Sequence, residues 1–170
     1  MTVTKVHKDA ETLTLTVTSE FDAPPERVWQ LWADQSQLEQ WWGPPTYPAT
    51  FTRHELWPGG RVEYHMTGPE GDQPRGYWDV VEVEEPNWLK FEDGFLSTDG
   101  TENGDFPVIT FRMSIEPIDA GRSRMTIDNE FASAESMDQM LAMGMEEGLT
   151  AAVGQIDSLL TAEAVDPIHP

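Results

Sequence analysis

The chain has 170 residues, no cysteine, and 31 acidic against 10 basic residues, which together give a formal net charge of −21. This length suits one domain with a substantial core and is short for two. The lack of cysteine excludes a disulfide framework and a thiolate metal site, and it fits a reducing cytoplasm. Such an acidic surface repels phosphate backbones and anionic lipids, so neither nucleic acid nor a membrane is expected as a partner. No apolar run reaches membrane-spanning length and the N-terminus lacks a signal-peptide core, so we expect a cytoplasmic protein.

The first part of the chain predicts one strand followed by two short helices. Residues 1–10 carry no strong pattern and are expected to form a loose or edge-paired terminus. Apolar and polar residues alternate over residues 13–21, which predicts a strand with one buried face. Asp22 is a candidate N-cap for a short helix with Pro24 and Pro25 near its first turn, and a second short helix follows through Trp41 and Trp42.

The middle of the chain predicts six further strands, separated by turns rich in glycine and proline. The first two flank Pro58-Gly59-Gly60 and form a hairpin. If the two strands pair without a bulge, one set of alternate side chains points toward the apolar core. A bulge of one residue would turn those side chains toward solvent instead. The residues predicted on that face are Phe51, Arg53, Glu55, Val62, Tyr64 and Met66. In the last predicted strand, Asn129 is a polar residue on an otherwise apolar face.

Residues 133–161 predict one long C-terminal helix, because apolar residues recur there at steps of three and four. Ser133 or Ser136 can cap its first turn. Its first half contains four methionines and the glycines Gly144 and Gly148. Methionine fills irregular apolar space, and a glycine inside a helix costs roughly 1 kcal/mol unless something must come close. Two interpretations stay open: a core helix packed tightly on the sheet, or one wall of a cavity.

Together these elements predict an α+β fold with a curved seven-stranded antiparallel sheet wrapped around the long C-terminal helix. Two short helices follow the first strand. We predict a single domain over residues 1–170, with its core at 12–161 and loose termini at 1–10 and 162–170.

Four segments, in this order, resemble the bacterial members of the activator of Hsp90 ATPase homologue 1-like family, within the START-like or Bet v 1-like superfamily. They are FDAPPERVWQLWADQSQLEQWWGP, HELWPGGRVEYHM, GYWDVVEVEEPNWLKFE and MEEGLTAAVGQIDSLL, and the resemblance covers residues 12–160. It implies a helix-grip fold, in which the sheet grips the C-terminal helix around an apolar cavity. It also implies that this cavity holds a small hydrophobic molecule, since relatives bind lipids and polyketides. Gly148 matches the helix glycine of the family, and Glu55 matches an acidic position before the Gly-Gly turn.

The candidates for chemistry are Arg53 and Glu55, with Tyr64 and Asn129 as hydrogen-bonding groups. Facing a cavity, they could bind a polar head or transfer protons; alternatively, Arg53 and Glu55 only pair with each other. No phosphate-binding loop, dinucleotide fingerprint or zinc-binding helix motif is present, so neither a metal nor another cofactor is expected. The predicted ligand-binding residues are Trp42, Phe51, Arg53, Glu55, Tyr64, Met66, Trp78, Phe91, Phe111, Met113, Asn129, Met137, Leu141, Gly144, Met145 and Gly148.

The sequence therefore predicts a binding protein for a small hydrophobic or aromatic molecule, held between the sheet and the C-terminal helix. Two alternatives stay open. One is an enzyme of the cyclase or hydratase kind that uses acids in the cavity, and the other is an interaction domain resembling the co-chaperone. A homodimer is compatible with all three functions.

Overall fold

The computed structural model describes residues 3–164 of the chain, and the side chains of residues 5–161. Within these residues, eight strands form one sheet, accompanied by five helices. The strands are β1 (Val3–Asp9), β2 (Thr14–Phe21), β3 (Ala49–His54), β4 (Arg61–Met66), β5 (Arg75–Glu84), β6 (Trp88–Leu96), β7 (Ile109–Asp119) and β8 (Arg122–Glu130). The helices are α1 (Pro25–Ala33), α2 (Gln35–Trp41), α3 (Ala134–Ala142), α4 (Met145–Val153) and α5 (Ile156–Ala164). None of these five helices is both long and apolar enough to cross a membrane.

The strand order across the sheet is β1-β2-β8-β7-β6-β5-β4-β3, and neighbouring strands are antiparallel. This confirms the predicted α+β class, with one strand more than the seven predicted. The extra strand is β1, which pairs along β2 with Val6 opposite Val17. The N-terminal segment is thus edge-paired rather than loose. Of the predicted loose C-terminal segment, residues 165–170 lie outside the described part of the chain, whereas residues 162–164 continue α5.

Alternation of apolar and polar residues gives the sheet one buried face, called the inner face below. In β2, Leu15, Val17, Ser19 and Phe21 are buried, and the residues that alternate with them are partly exposed. In β8, Met125 and Ile127 are buried in the same way. Because β2 and β8 pair in uninterrupted register, their buried side chains lie side by side. The helices cover the face that these side chains form.

Helices α1 and α2 follow β2, as predicted, but the N-cap of α1 is Pro24 rather than Asp22, and no side chain caps that helix. Helix α2 also protects the free edge of β3. Asp34 caps α2 by accepting a hydrogen bond from the Ser36 amide at 3.0 Å. The side chain of Gln35 donates to the Phe51 carbonyl at 2.9 Å, and the Phe51 amide donates to Glu39 at 2.8 Å. These bonds satisfy backbone groups that an edge strand would otherwise leave open to another chain.

An aromatic layer fills the inner face beneath α1 and α2. It consists of Trp32, Trp41, Trp42, Trp78, Phe91 and Phe111. The Phe91 ring stacks on Trp78 at 4.1 Å and on Phe111 at 4.3 Å, and Trp42 meets Trp78 edge-on at 4.9 Å. None of the six side chains is more than 7% exposed. This part of the inner face is therefore a packed core, in which each ring excludes water from its neighbours.

The C-terminal helix is not continuous, in contrast to the single helix predicted over residues 133–161. It begins as predicted at Ser133, whose hydroxyl accepts a hydrogen bond from the Ser136 amide at 3.0 Å. It breaks at Gly144, where φ is 89° and the backbone is left-handed. Glycine adopts this conformation without the steric penalty that a Cβ imposes, so the chain can end α3 and restart α4 there.

A second break at Gly154 separates α4 from α5. The side-chain amide of the next residue, Gln155, donates to the carbonyls of Gly43 at 2.7 Å and Trp41 at 3.2 Å. These bonds satisfy carbonyls at the end of α2 and tie the C-terminal helices to the early ones. The C-terminal end of α4 is therefore anchored to the end of α2.

Candidate functional site

A pocket of about 530 Å³ lies between the inner face of the sheet and helices α3 and α4. Its lining consists of Trp42, Gly43, Pro44, Tyr47, Tyr64, Met66, Asp72, Pro74, Asp93, Phe95, Ile109, Phe111, Asn129, Met140, Met143, Gly144, Met145, Gly148, Leu149 and Ala152. Strands β4, β6, β7 and β8 form one wall, and α3 and α4 form the other. Most of these side chains are apolar, so the few polar groups among them determine what the pocket can recognise.

Half of the predicted ligand-binding residues line this pocket. They are Trp42, Tyr64, Met66, Phe111, Asn129, Gly144, Met145 and Gly148. Phe51, Trp78, Phe91 and Met113 lie instead in the packed core, and Met137 and Leu141 pack beside Leu15 and Phe131. Alternation predicts correctly that these strand residues point inward. It cannot predict which part of the inner face a helix side chain will fill.

Arg53 and Glu55 do not face the pocket, and the prediction that placed them there is wrong. A bulge interrupts the pairing of β3 with β4, so that Phe51 pairs with Tyr64 but Arg53 pairs with Glu63. Arg53 donates to Glu55 at 2.9 Å, and their side chains are 49% and 32% exposed. The bulge turns two charged side chains toward solvent and so avoids the cost of burying them. They form the self-contained pair that was the predicted alternative.

The helix wall leaves space in the pocket because it carries two glycines. Apart from the adjacent backbone, a Cβ placed on Gly148 would have no atom within 4 Å, and the same holds for Gly144. Further along the same helix, Ala152 and Val153 are buried. The open space beside the two glycines favours the interpretation of the first half of the C-terminal segment as a pocket wall rather than as a tightly packed core helix.

Asp93 places a carboxyl group inside the pocket, on the inner face of β6. It pairs with Trp78 on β5 and Ile109 on β7. The Tyr64 hydroxyl lies 3.5 Å from its Oδ1. Burial raises the pKa of Asp93 to about 7, against an ordinary value of 3.8, because the charged form is poorly solvated there. The group can therefore hold or release a proton near neutral pH.

Asp93 is absent from the predicted site residues, although the sequence contains a signal for it. Leu89, Phe91 and Asp93 occupy alternate positions of the same strand, and the first two are buried. An acid at a strand position where the alternation predicts an apolar residue is the same kind of exception that identified Asn129 in β8. The alternation of buried residues in β6, continued by two residues beyond Phe91, leads to Asp93.

Tyr64 is oriented toward Asp93 by a glycine on the neighbouring strand. It pairs with Gly76 of β5, and a Cβ on that glycine would overlap the Tyr64 ring. Burial, followed by the nearby charge of Asp93, raises the pKa of the Tyr64 hydroxyl well above its usual value of 10. Tyr64 therefore stays protonated and acts as a hydrogen-bond donor at neutral pH.

Asn129 is fully buried and is one of the residues that line the pocket. Its Nδ2 donates to the Leu15 carbonyl at 3.1 Å, which fixes the orientation of the amide. Among the described residues, no group donates to its Oδ1. An unpaired buried acceptor costs roughly 1–3 kcal/mol, so a donor on a bound molecule would be favoured at this place.

The pocket rim is closed on one side by a contact between two turns. The Tyr47 hydroxyl donates to Asp72 at 2.8 Å, and this bond raises the pKa of Tyr47. A Cβ on Gly68 would overlap the Tyr47 ring. The small residue thus lets the ring lie across the turn, and the two segments are joined at the opening.

No group of three or more His, Asp or Glu side chains suited to a metal ion occurs within the described part of the chain. The Nε2 atom of His54 lies 3.0 Å from the Trp32 carbonyl, and burial lowers the pKa of this imidazole. A neutral ring can donate to that carbonyl, which accounts for its place beneath α1. The expectation of no metal and no other cofactor stays a prediction.

Comparisons with known proteins agree with this architecture. The chain is 50% identical to protein Ms6760 from Mycobacterium smegmatis, with a TM-score of 0.87 over 94% of this chain and 98% of that one. It is 46% identical to a protein from Arthrobacter aurescens, with a TM-score of 0.91 over 95% and 93% of the two chains. A protein from Rhodobacter sphaeroides shares the fold at 22% identity and a TM-score of 0.78, over 93% of this chain and 98% of that one.

These neighbours confirm the helix-grip arrangement predicted from the sequence. A search of the curated proteins found no match to this chain. The family model described as "Activator of Hsp90 ATPase homolog 1-like protein" matches residues 22–161, which include α1, α2, all strands from β3 to β8 and most of the C-terminal segment. The chain therefore belongs to the family of activator of Hsp90 ATPase homolog 1-like proteins.

Proposed function

We propose that this protein binds a small apolar or aromatic molecule in the pocket between the sheet and helices α3 and α4. The observation that supports this most strongly is the open space at Gly148, where an added Cβ would meet no atom within 4 Å. Stacked rings fill the neighbouring part of the same inner face. The open space is therefore specific to the part of the sheet beneath Gly148. A bound molecule would occupy that space.

The size and chemistry of the pocket suit such a ligand. A volume of about 530 Å³ lies within the range of roughly 300–1,000 Å³ that small-molecule sites occupy. A two-ring aromatic molecule that loses roughly 200 Å² of apolar surface gains about 5 kcal/mol, before the cost of ordering it is subtracted. A dissociation constant of roughly 0.2 mM or weaker is therefore expected for a simple aromatic probe.

Titration with N-phenyl-1-naphthylamine, a neutral dye whose emission rises in apolar surroundings, tests this proposal. We expect saturable binding of one dye per chain, with a change in tryptophan emission because Trp42 lines the pocket. Gly148→Leu should weaken binding at least tenfold by filling the space. Glu147→Leu adds the same side chain at an exposed position of α4 and should leave the affinity unchanged. A cooperatively folded protein that binds no dye would contradict the proposal.

An acid–base enzyme is the second candidate, favoured by the Asp93 carboxyl beside the Tyr64 hydroxyl. A carboxyl with a pKa of about 7 can exchange a proton with a bound molecule at neutral pH. In this candidate, Asp93 takes the place of Glu55, which lies outside the pocket. Mass spectrometry would identify a molecule that the purified protein retains. Its chemical conversion by the wild type but not by Asp93→Asn would favour the enzyme over the binding protein.

A further inference from the structure

All of the charged side chains that line the pocket are acidic. Asp93 lies on the sheet wall and Asp72 at the rim, and within the described residues no Lys, Arg or His lines the pocket. The chain as a whole carries a formal net charge of −21, so the surrounding field has the same sign. Such a site concentrates cations and repels anions. Fatty acids and other carboxylates are therefore poor ligands for it.

The hydrogen-bonding groups of the pocket also favour a donor on the ligand. Asp93 supplies carboxylate oxygens, and the fully buried Asn129 supplies an Oδ1 that nothing in the described part of the chain donates to. The amide of Asn129 cannot rotate to offer a donor without losing its bond to the Leu15 carbonyl. A ligand that carries N–H groups can donate to acceptors of this kind, whereas a ligand carboxylate cannot.

Aromatic rings complete the site. Trp42, Tyr64, Phe95 and Phe111 line the pocket, and the Tyr64 hydroxyl lies 3.5 Å from the carboxyl of Asp93. Aromatic faces attract a desolvated cation, and they also pack against its hydrocarbon part. A carboxylate within a ring-lined pocket is therefore suited to a molecule that is positive at one end and apolar elsewhere.

We propose that the ligand is an apolar organic ammonium ion, whose charge pairs with Asp93 and whose hydrocarbon part lies along the methionine and glycine wall of α3 and α4. This identification rests on the proposed ligand-binding function and specifies the chemical class of its ligand. An ammonium ion leaves water at a large cost unless it is paired and hydrogen-bonded, and the carboxylate of Asp93 provides both the opposite charge and hydrogen-bond acceptors.

The protonation of Asp93 makes the preference dependent on pH. The groups that face this carboxyl from neighbouring elements are the Tyr64 hydroxyl from β4, and the uncharged Trp78 and Ile109 from β5 and β7. Since the pKa of Asp93 is about 7 without a ligand, an ammonium ion must displace its proton at lower pH. Ammonium binding should therefore be tighter at pH 8 than at pH 5.5.

Calorimetric titration with three probes of one shape tests the inference: 2-naphthylmethylammonium, 2-naphthylmethanol and 2-naphthoate. At pH 8 we expect the ammonium ion to bind at least tenfold more tightly than the alcohol, and the carboxylate to bind most weakly. In Asp93→Asn, the advantage of the ammonium ion over the alcohol should fall below threefold. Asp138→Asn removes the same charge from an exposed position of α3 and should keep the wild-type ranking.

Two results would overturn the inference. If the alcohol binds wild-type protein as tightly as the ammonium ion, the class of ligand is wrong while the proposed binding function stands. If none of the three probes binds folded protein, both fail. If Asp93→Asn does not fold, the wild type alone tests the inference. Its affinity for the ammonium ion relative to the alcohol should fall at least fivefold between pH 8 and pH 5.5. An advantage that stays constant over this range would also contradict the role of Asp93.

Discussion

Two regions of the inner face differ in the helix side chains that pack against the sheet. Beneath α1 and α2, tryptophans meet strand aromatics, and Phe91 stacks between Trp78 and Phe111 at 4.1 and 4.3 Å. Beneath α3 and α4, the helices bring methionine and glycine, and the space beside Gly148 stays open. The strands are apolar in both regions. The identity of the helix side chains therefore decides whether this sheet supports a packed core or a pocket.

The two regions also differ in their polar groups. In the pocket region, the inner face carries Asp93 and Asn129, which a packed apolar core would not tolerate without partners. Near the bulge in β3, by contrast, the charges of Arg53 and Glu55 are turned out to solvent. The charged side chains near the packed rings are thus turned outward, whereas a carboxyl group and an amide are retained where there is space for a ligand.

The largest difference between the regions should appear when a large side chain is removed from each. Phe91→Ala should lower the free energy of unfolding by about 3–5 kcal/mol, because it deletes the central ring of a stack and leaves a cavity. Met140→Ala, at the pocket wall, should cost about 2 kcal/mol or less, because open space already adjoins it. Denaturant unfolding measures both. Equal losses would show that the two regions are packed alike.

The next largest effect concerns Asp93. Because its pKa rises from 3.8 to about 7 on folding, the folded state holds a proton that the unfolded chain releases between about pH 4 and pH 7. The contribution of this group to stability therefore falls as the pH rises through that range, by up to about 4 kcal/mol. Asp93→Asn, which stays neutral, should be more stable than wild type at pH 8.

That advantage should decrease toward zero as the pH approaches 4, where the wild-type carboxyl is protonated as well. Denaturant unfolding at several pH values checks the trend. Asp138→Asn, on the exposed surface of α3, serves as the control for the lost charge. A stability difference that does not depend on pH would show that Asp93 is not buried as described.

A smaller effect is expected when the pocket is filled. Gly148→Leu should leave the free energy of unfolding unchanged or raise it by up to about 1 kcal/mol, because leucine favours the helix and meets open space. Thermal unfolding, with Glu147→Leu as the reference, measures this. A loss of about 1–3 kcal/mol would mean that Gly148 makes a tight contact and that the pocket is smaller than described.

The smallest effect is expected at Glu55. Because this side chain pairs with Arg53 outside the pocket, Glu55→Gln should leave the affinity for a neutral aromatic probe unchanged within about twofold. Fluorescence titration with the dye used above checks this. A tenfold loss would restore Glu55 as a pocket residue and contradict the bulge in β3.

Most of the fold could be predicted from the sequence, because periodicity carries it. The alternation over residues 13–21 and the apolar stripe over residues 133–161 depend on side-chain spacing alone, which determines the face that a strand or helix can bury. The cap at Ser133 follows from local chemistry in the same way.

The parts that could not be predicted depend on one residue each. A single extra residue in β3 reverses the faces of Arg53 and Glu55, and nothing in the alternation specifies a bulge. Gly144 fits either a continuous helix or a left-handed break, and the packing of α3 and α4 decides between them.

Asp93, by contrast, could have been predicted from the sequence, because it is an acid at alternate spacing from the buried residues of β6.

The eight methionines of the chain allow a direct test of where a ligand binds. Met66, Met140, Met143 and Met145 line the pocket, whereas Met113 and Met125 are fully buried in the packed core. With [13C]methyl-methionine protein, titration with 2-naphthylmethanol should shift the methyl signals of the first group and leave those of Met113 and Met125 in place. Shifts confined to Met113 and Met125, or binding without any methyl shift, would contradict a ligand site between the sheet and helices α3 and α4.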